Sequence, residues 1–167
     1  IQALRTFYLA QPERRLNLVI NNISAGNVFG GAATAMIFGA LLANRWDCEL
    51  RIVTRSGHPA ARVFGDLLNA NNIPFSKNVE FLYASVEDPN ARIPVGEGDL
   101  FLTTSWWTTE TVRQTIPSSR ILYLLQEDER IFYSQDDEHV RCSRVFEDPE
   151  LTFILNTELL YTHLVGE

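Results

Sequence analysis

Six short apolar runs, each typical of a buried β-strand, constrain the fold of this chain more than any other feature. They occupy residues 16–20, 49–54, 79–84, 99–104, 121–125 and 151–156. Helical patterns follow two adjacent glycines at 30 and 31 and lie at 58–72, at 108–116 and from 157 onward. Strands that alternate with helices favour a parallel sheet with helices on both faces. The sequence therefore predicts an α/β fold with a Rossmann-like, doubly wound and mainly parallel sheet.

The 167 residues fit one domain, which we divide into an N-terminal extension at 1–14 and a lobe at 15–167. Residues 16–44 carry no charge, which raises the question of a membrane helix. Asparagines and glycines interrupt this stretch, however, and a membrane helix needs about 20 predominantly apolar residues. We therefore expect a strand, a loop and a helix there. The last helical pattern stops just past Gly166, so we expect the chain to be a domain of a longer protein.

Charge and cysteine usage narrow the classes of partner. The net charge is −7 and Lys77 is the only lysine, whereas non-specific binding to nucleic acid needs a positive field. We therefore expect no nucleic-acid partner. Cys48 and Cys142 lie far apart and lack metal-ligand spacing, which favours two reduced thiols over a disulfide or a metal site. This preference indicates a cytoplasmic location.

The turn between the first strand and its helix contains adjacent glycines, in a position where many proteins bind phosphate. A dinucleotide fingerprint needs G-x-G-x-x-G, which Gly26, Gly30 and Gly31 do not supply. A P-loop needs a lysine and a hydroxyl residue after its last glycine, but Ala32 and Ala33 follow here. The pattern therefore excludes a P-loop NTPase. Two readings stay open: a backbone that approaches a ligand closely, or a tight turn that binds nothing.

Two adjacent tryptophans, Trp106 and Trp107, come directly after the fourth predicted strand. The loops after the carboxyl ends of parallel strands hold the working residues of such sheets. Tryptophan faces stack well on sugar rings, but the same side chains also fill cores. Because neighbouring side chains at a strand end point different ways, we expect one tryptophan to pack and the other to face a ligand.

An acidic segment follows the fifth predicted strand. Its first residues, Glu127, Asp128 and Glu129, stand where a general base or a hydroxyl-binding carboxylate is expected. We select Gln126 and Asp128 as binding candidates and expect the acidic residues at 136–138 to form a solvated face. No further ligands stand at diagnostic spacing, so no metal site is predicted.

The remaining reactive residues carry little signal. His58, His139 and His163 are predicted to be surface residues. No G-x-S-x-G motif is present, and Cys142 has no evident partner. Nucleophilic hydrolysis therefore has no support, and no catalytic residue is assigned.

The order of these pieces resembles the N-terminal half of certain retaining glycosyltransferases, the GT-B-fold enzymes of family 4. Within that family it is most similar to rhamnosyltransferases that build bacterial surface glycans. The resemblance covers most of residues 14–167 and rests on four stretches: NVFGGAATA (27–35), TTSWWT (103–108), YLLQEDERIFY (123–133) and FILNTELL (153–160).

The resemblance implies a two-lobed enzyme with a catalytic cleft between two Rossmann-like lobes. The N-terminal lobe binds the glycan acceptor, and a C-terminal lobe, which this chain lacks, holds the nucleotide-sugar donor. We therefore expect this chain alone to be inactive. The residues that the resemblance assigns to substrate binding are Gly30, Gly31, Trp106, Trp107, Gln126 and Asp128.

The resemblance also implies the co-substrates. Retaining enzymes of this fold are thought to use the donor's own phosphate as the base and to work without a bound metal. The nucleotide sugar is then a co-substrate, and no other cofactor is expected. A lipid-linked acceptor would bring the protein to the inner face of the membrane by peripheral association.

Two alternatives remain. The first is a stand-alone α/β module that binds a sugar or a nucleotide without chemistry. The second is a GT-A-type transferase in which residues 127–129 serve as a metal motif. The second is disfavoured because these acids do not follow the D-x-D spacing.

Overall fold

The computed structural model describes residues 1–10, 13–24 and 30–166. The helices are α1 (Gly31–Trp46), α2 (Ala61–Ala70), α3 (Trp106–Arg113), α4 (Asp137–Phe146) and α5 (Glu158–Val165). The strands are β1 (Thr6–Tyr8), β2 (Arg15–Ile20), β3 (Glu49–Thr54), β4 (Val79–Tyr83), β5 (Ile93–Val95), β6 (Leu100–Thr103), β7 (Ile121–Leu125) and β8 (Thr152–Leu155).

The main sheet has six parallel strands in the order β4-β3-β2-β6-β7-β8. Each predicted apolar run forms one of these strands. Counted in chain order, the arrangement is that of a Rossmann fold, in which the winding direction reverses between the first and fourth strands. The structure thus confirms the doubly wound α/β prediction. The reversal places the carboxyl ends of β2 and β6 side by side.

Helices cover both faces of the sheet. One buried cluster joins the sheet to α1 and α2, and a second joins it to α3, α4 and α5. In the centre, Leu18 lies between Ile52 and Leu102 in the strand register, and all three side chains are fully buried. Burial on both faces explains why the strands read as continuous apolar runs.

The start of α3 differs from the prediction of a helix at 108–116. The hydroxyl of Ser105 accepts a hydrogen bond from the backbone N–H of Thr108, and the Thr108 hydroxyl binds the backbone N–H of Ser105 in return. This reciprocal capping box begins the helix at Trp106. The two tryptophans therefore lie in the first turn of a helix, not in a loop after the strand.

The connection from β4 to β6 is unusual for this fold. Residues 84–99, all of them described, form no helix and contribute only the short strand β5. β5 pairs in parallel with β1 in a separate two-stranded sheet. The segment at 1–8, assigned from sequence to an extension, is anchored to the lobe by Leu4, which is fully buried.

Backbone and side-chain hydrogen bonds fix this N-terminal segment. The N–H of Leu4 donates to the carbonyl of Thr111, and the hydroxyl of Thr115 donates to the carbonyl of Leu4. The buried guanidinium of Arg55 donates to the carbonyls of Gln2 and Ala3. Residues at 1–8 therefore cover part of the sheet that a crossover helix would otherwise protect.

A buried arginine of β3 forms hydrogen bonds to residues of β2, β4 and β5. Arg51, in β3, is 1% exposed. Its guanidinium donates to Asn17 Oδ1 at 3.1 Å, to the Pro94 carbonyl at 2.6 Å and to Glu80 Oε2 at 2.7 Å. These bonds satisfy a charge that would otherwise be costly to bury.

In the described part of the chain, no helix has the length and apolar character needed to cross a membrane.

Candidate functional site

A cleft of about 280 Å³ lies at the carboxyl edge of the sheet, where the winding direction reverses. Ligands of open α/β sheets usually bind at this point. Residues from the loops after β6 and β7 meet the start of α1 there. The cleft is lined by Gly31, Thr104, Ser105, Gln126, Glu127, Glu129 and Phe132.

The predicted glycine turn borders this cleft. Gly30 has φ of +58° and precedes the first residue of α1. That conformation favours glycine because a side chain would be strained there. The Gly30 carbonyl accepts bonds of 3.1 Å from both the backbone N–H and the hydroxyl of Thr34. Residues 25–29 of this loop, including the Gly26 that was compared with the two glycine motifs, lie outside the described residues.

Gly31 and Gln126, both predicted as binding residues, are in direct contact. Gln126 Nε2 donates to the Gly31 carbonyl at 3.2 Å. A Cβ atom at Gly31 would come within 2.9 Å of the same nitrogen. Because residue 31 has no Cβ atom, the Gln126 amide can approach the backbone there. The resulting hydrogen bond holds the Gln126 side chain at the side of the cleft.

Glu129 is the best-held carboxylate of the cleft. Its Oε1 accepts a hydrogen bond from the Tyr123 hydroxyl at 2.6 Å, and its Oε2 accepts one from the backbone N–H of Trp106 at 3.0 Å. Burial raises the pKa of the Glu129 carboxyl, whereas these two donors oppose the rise. The first turn of α3 has no acidic residue of its own, so Glu129 supplies the negative charge that a helix N-terminus favours.

The tryptophan pair lies beside the cleft but not on its surface. Trp106 is 3% exposed and packs edge-on against Tyr133, whose hydroxyl accepts a bond of 2.8 Å from the indole Nε1. Trp107 is half-buried against the same core cluster. The aromatic ring that lines the cleft is Phe132, which is 58% exposed. Sequence reasoning missed Phe132, although it lies in the quoted segment at 123–133.

The carboxylate of Asp128 contacts other side chains of the protein. Arg130 donates to both of its carboxylate oxygens, at 2.9 Å and 2.8 Å, and His163 Nε2 lies 3.1 Å from Oδ2. The side chain of Asp128 is 7% exposed. The bidentate bond from Arg130 holds the pKa of Asp128 at about 2, below its usual range. His163 of α5 is exposed, as predicted, and its ring also reaches Asp128 after the end of β7.

Replacing Asp128 by asparagine is expected to lower the stability near neutral pH by roughly 2 kcal/mol. A carboxyl whose folded pKa is depressed stabilises the fold above its unfolded pKa of about 3.9, and this contribution is lost as the pH falls towards about 2. The variant should therefore lose less stability than the unmodified protein between those two pH values. Urea denaturation at pH 7 and across this acid range measures the difference. Parallel stability curves would contradict the assignment.

Another, larger groove lies away from the glycine turn. It has a volume of about 690 Å³ and runs beside β8 and α5, where Phe146, Phe153 and Tyr161 contribute to its lining. Arg130 also lines it, and its guanidinium lies 5.1 Å from the centre of the Phe146 ring. None of the six predicted binding residues lines this groove. We therefore place the candidate site at the smaller cleft.

The electrostatic character of the cleft is acidic. Glu127 and Glu129 contribute two carboxylates, and none of the described lining residues is lysine, arginine or histidine. Thr104, Ser105 and Gln126 add neutral hydrogen-bonding groups. Elsewhere in the described ranges, no group of three or more His, Cys, Asp or Glu residues is placed to hold a metal ion. The described lining of the cleft therefore offers hydrogen-bond acceptors and an aromatic face, and within it no side-chain cation is available for a phosphate.

The chain matches the model of a known family. Residues 15–154, most of the chain, match the family described as WsaF, N-terminal domain. WsaF is a rhamnosyltransferase, and the domain is associated with glycosyltransferases. No curated protein matches the chain.

Proposed function

Because this chain belongs to the WsaF N-terminal domain family, we propose that it is the acceptor-binding lobe of a retaining glycosyltransferase. The enzyme would have a GT-B fold of family 4 and transfer a sugar from a nucleotide-sugar donor to a growing glycan. Rhamnose is the donor sugar that we propose, since WsaF is a rhamnosyltransferase. The family membership supports the general kind of enzyme. The lining of the cleft supports binding of the acceptor by this lobe and of the donor by a second lobe.

The single observation that carries the proposal is the chemistry of the cleft lining. Carboxylates, amides and hydroxyls are the groups that hydrogen-bond sugar hydroxyls, and Gln126 and Glu129 present them at the reversal point of the sheet. Phe132 adds an exposed ring on which the C–H face of a sugar can stack. A sugar is therefore the ligand class that this lining matches best.

The same lining argues that the donor's diphosphate is held elsewhere. A diphosphate is usually bound by arginine, lysine or a metal ion, and the described lining of this cleft provides neither basic side chain. The N-terminus of α1 has no acidic residue in its first turn, so a phosphate can approach it from across the cleft. We propose that a second lobe binds the donor and that the chain at 1–167 does not transfer sugar alone.

The enzymatic proposal is tested on the full-length protein. Release of free nucleotide is measured with a panel of nucleotide sugars and neutral oligosaccharide acceptors, in parallel with the chain at 1–167. Turnover is expected only with the full-length protein. Transfer by the chain at 1–167 would contradict the division between lobes. Acceptor binding without turnover for any donor would favour a sugar-binding module instead.

Replacing Phe132 by alanine is expected to weaken binding of the acceptor roughly three- to tenfold, because a stacking face is lost. The ring is 58% exposed, so stability should change little. NMR titration with neutral oligosaccharides measures the affinity, and thermal melting measures the stability. Ile131→Ala is the matched control, since Ile131 is 69% exposed and does not line the cleft. Equal losses in both variants would argue against stacking at Phe132.

A further inference from the structure

The N-termini of α1 and α3 both lie at the cleft, and they differ in whether a carboxylate from elsewhere in the protein is seen to bind them. The first turn of α1 contains no acidic residue and borders the cleft at Gly31. At the first turn of α3, Glu129 accepts a bond from the backbone N–H of Trp106. A helix N-terminus attracts anions through its free N–H groups and its dipole. At α3 this attraction is already satisfied by the protein's own carboxylate.

Glu129 is held in place by both of its oxygens. Tyr123, a fully buried residue of β7, donates to one oxygen and the start of α3 donates to the other. The carboxylate therefore cannot swing away from an incoming anion without losing two hydrogen bonds. Glu127, an exposed second carboxylate, lies on the same lining and adds to the negative potential.

The arginine next to Glu129 in the chain is paired with a different carboxylate. Arg130 follows Glu129 in the chain, but its guanidinium forms a bidentate pair with Asp128. It also stacks on Phe146 and lines the other groove. Its charge is thus paired with Asp128, and Arg130 does not line the cleft.

From this arrangement we infer that Glu129 is a specificity-determining residue, which makes the α3 end of the cleft selective for an uncharged sugar over one that carries a carboxylate or a phosphate. The inference rests on the proposed function, since it names the class of acceptor sugar. Like charges about 4 Å apart repel appreciably even near a protein surface, so an acidic sugar is disfavoured. An uncharged sugar instead donates its hydroxyls to the carboxylates.

The test compares matched sugars that differ only at C6, where a neutral hydroxymethyl group is replaced by a carboxylate. The probes are methyl glycosides of glucose, galactose and mannose, each beside its C6-carboxylate counterpart, with methyl rhamnoside as a further neutral probe. NMR titration of the purified protein gives the affinities. We expect a neutral glycoside to bind at least about tenfold more tightly than its carboxylate. This ratio should shrink as ionic strength rises, because salt screens the repulsion.

Glu129→Gln is the discriminating variant. The amide oxygen can still accept from Trp106 and the amide NH₂ can donate to the Tyr123 oxygen, so we expect the fold to persist. The preference for the neutral sugar should fall at least threefold. Glu138→Gln, an exposed acidic position of α4 that does not line the cleft, is the control and should leave the ratio unchanged. If the Glu129→Gln variant has a clearly lowered melting temperature, Glu127→Gln is used in its place. We then expect a smaller reduction of the preference for the neutral sugar.

The possible outcomes separate this inference from the proposed function. Equal or tighter binding of the carboxylates by the unmodified protein would overturn the inference and leave a sugar-binding lobe intact. An unchanged ratio in the folded Glu129→Gln variant would also overturn it. If no sugar of the panel binds, the proposed acceptor site itself fails, and the inference fails with it.

Discussion

Replacing Trp106 by alanine is expected to lower the free energy of unfolding by about 3–5 kcal/mol. The side chain is 3% exposed and contributes to the core cluster beneath α3 and α4. Its removal leaves a cavity and deprives the Tyr133 hydroxyl of the indole donor at 2.8 Å. Since domains are typically stable by only about 5–15 kcal/mol, this one change should bring the protein close to its stability limit.

Chemical denaturation and thermal melting measure the effect, with an expected fall in melting temperature of roughly 10 °C. Trp107→Ala is the matched control, because Trp107 is only half-buried and should cost less. A Trp106→Ala variant that melts like the unmodified protein but no longer binds sugar would show that the ring faces the ligand. That result would reverse the assignment made from the structure.

Replacing Arg51 by alanine is the second large change, with an expected loss of about 3–5 kcal/mol. The guanidinium is 1% exposed and bonds to groups on neighbouring segments, so its loss leaves Asn17 Oδ1 and the Pro94 carbonyl without this donor. Glu80 also loses a charged partner at 2.7 Å. Buried acceptors without donors are costly, which makes this loss larger than that of a surface ion pair.

The control for Arg51 is Arg62→Ala in α2. Arg62 pairs with Asp66, but its side chain is 90% exposed, so the change should stay within about 0.5 kcal/mol. Urea denaturation of both variants measures the difference. Similar stabilities for the two variants would mean that the Arg51 network contributes no more than a surface pair.

Most of the fold could be predicted because its strands are buried on both faces. Such strands read as apolar runs, and the runs around Leu18 and Leu102 are clear examples. The strands β1 and β5 escaped prediction because each has only three residues and its partner is distant in the chain. Nothing in the local pattern around Thr6 specifies that it pairs with Ile93.

The candidate site was predicted only in part. The rule that ligands bind at the carboxyl ends of strands located Gly31 and Gln126, which the structure brings into contact. The rule did not distinguish the surroundings of Asp128 from those of Glu129. Their different partners, Arg130 and Trp106, depend on tertiary contacts. The position of the tryptophans depended on the first residue of α3. A helix boundary is the feature that sequence patterns locate least well.

The N-terminal segment has a consequence for the order of events during biosynthesis. The backbone N–H and carbonyl of Leu4 can form their hydrogen bonds only when Thr111 and Thr115 are present, about a hundred residues later in the chain. At usual rates of translation this is a delay of roughly 5–20 s. The two partner strands of β2, which are β3 and β6, end earlier in the chain, at Thr54 and Thr103. Residues 1–8 are therefore made before β2, but the hydrogen bonds of Leu4 can be completed only after the central strands of the sheet have been made.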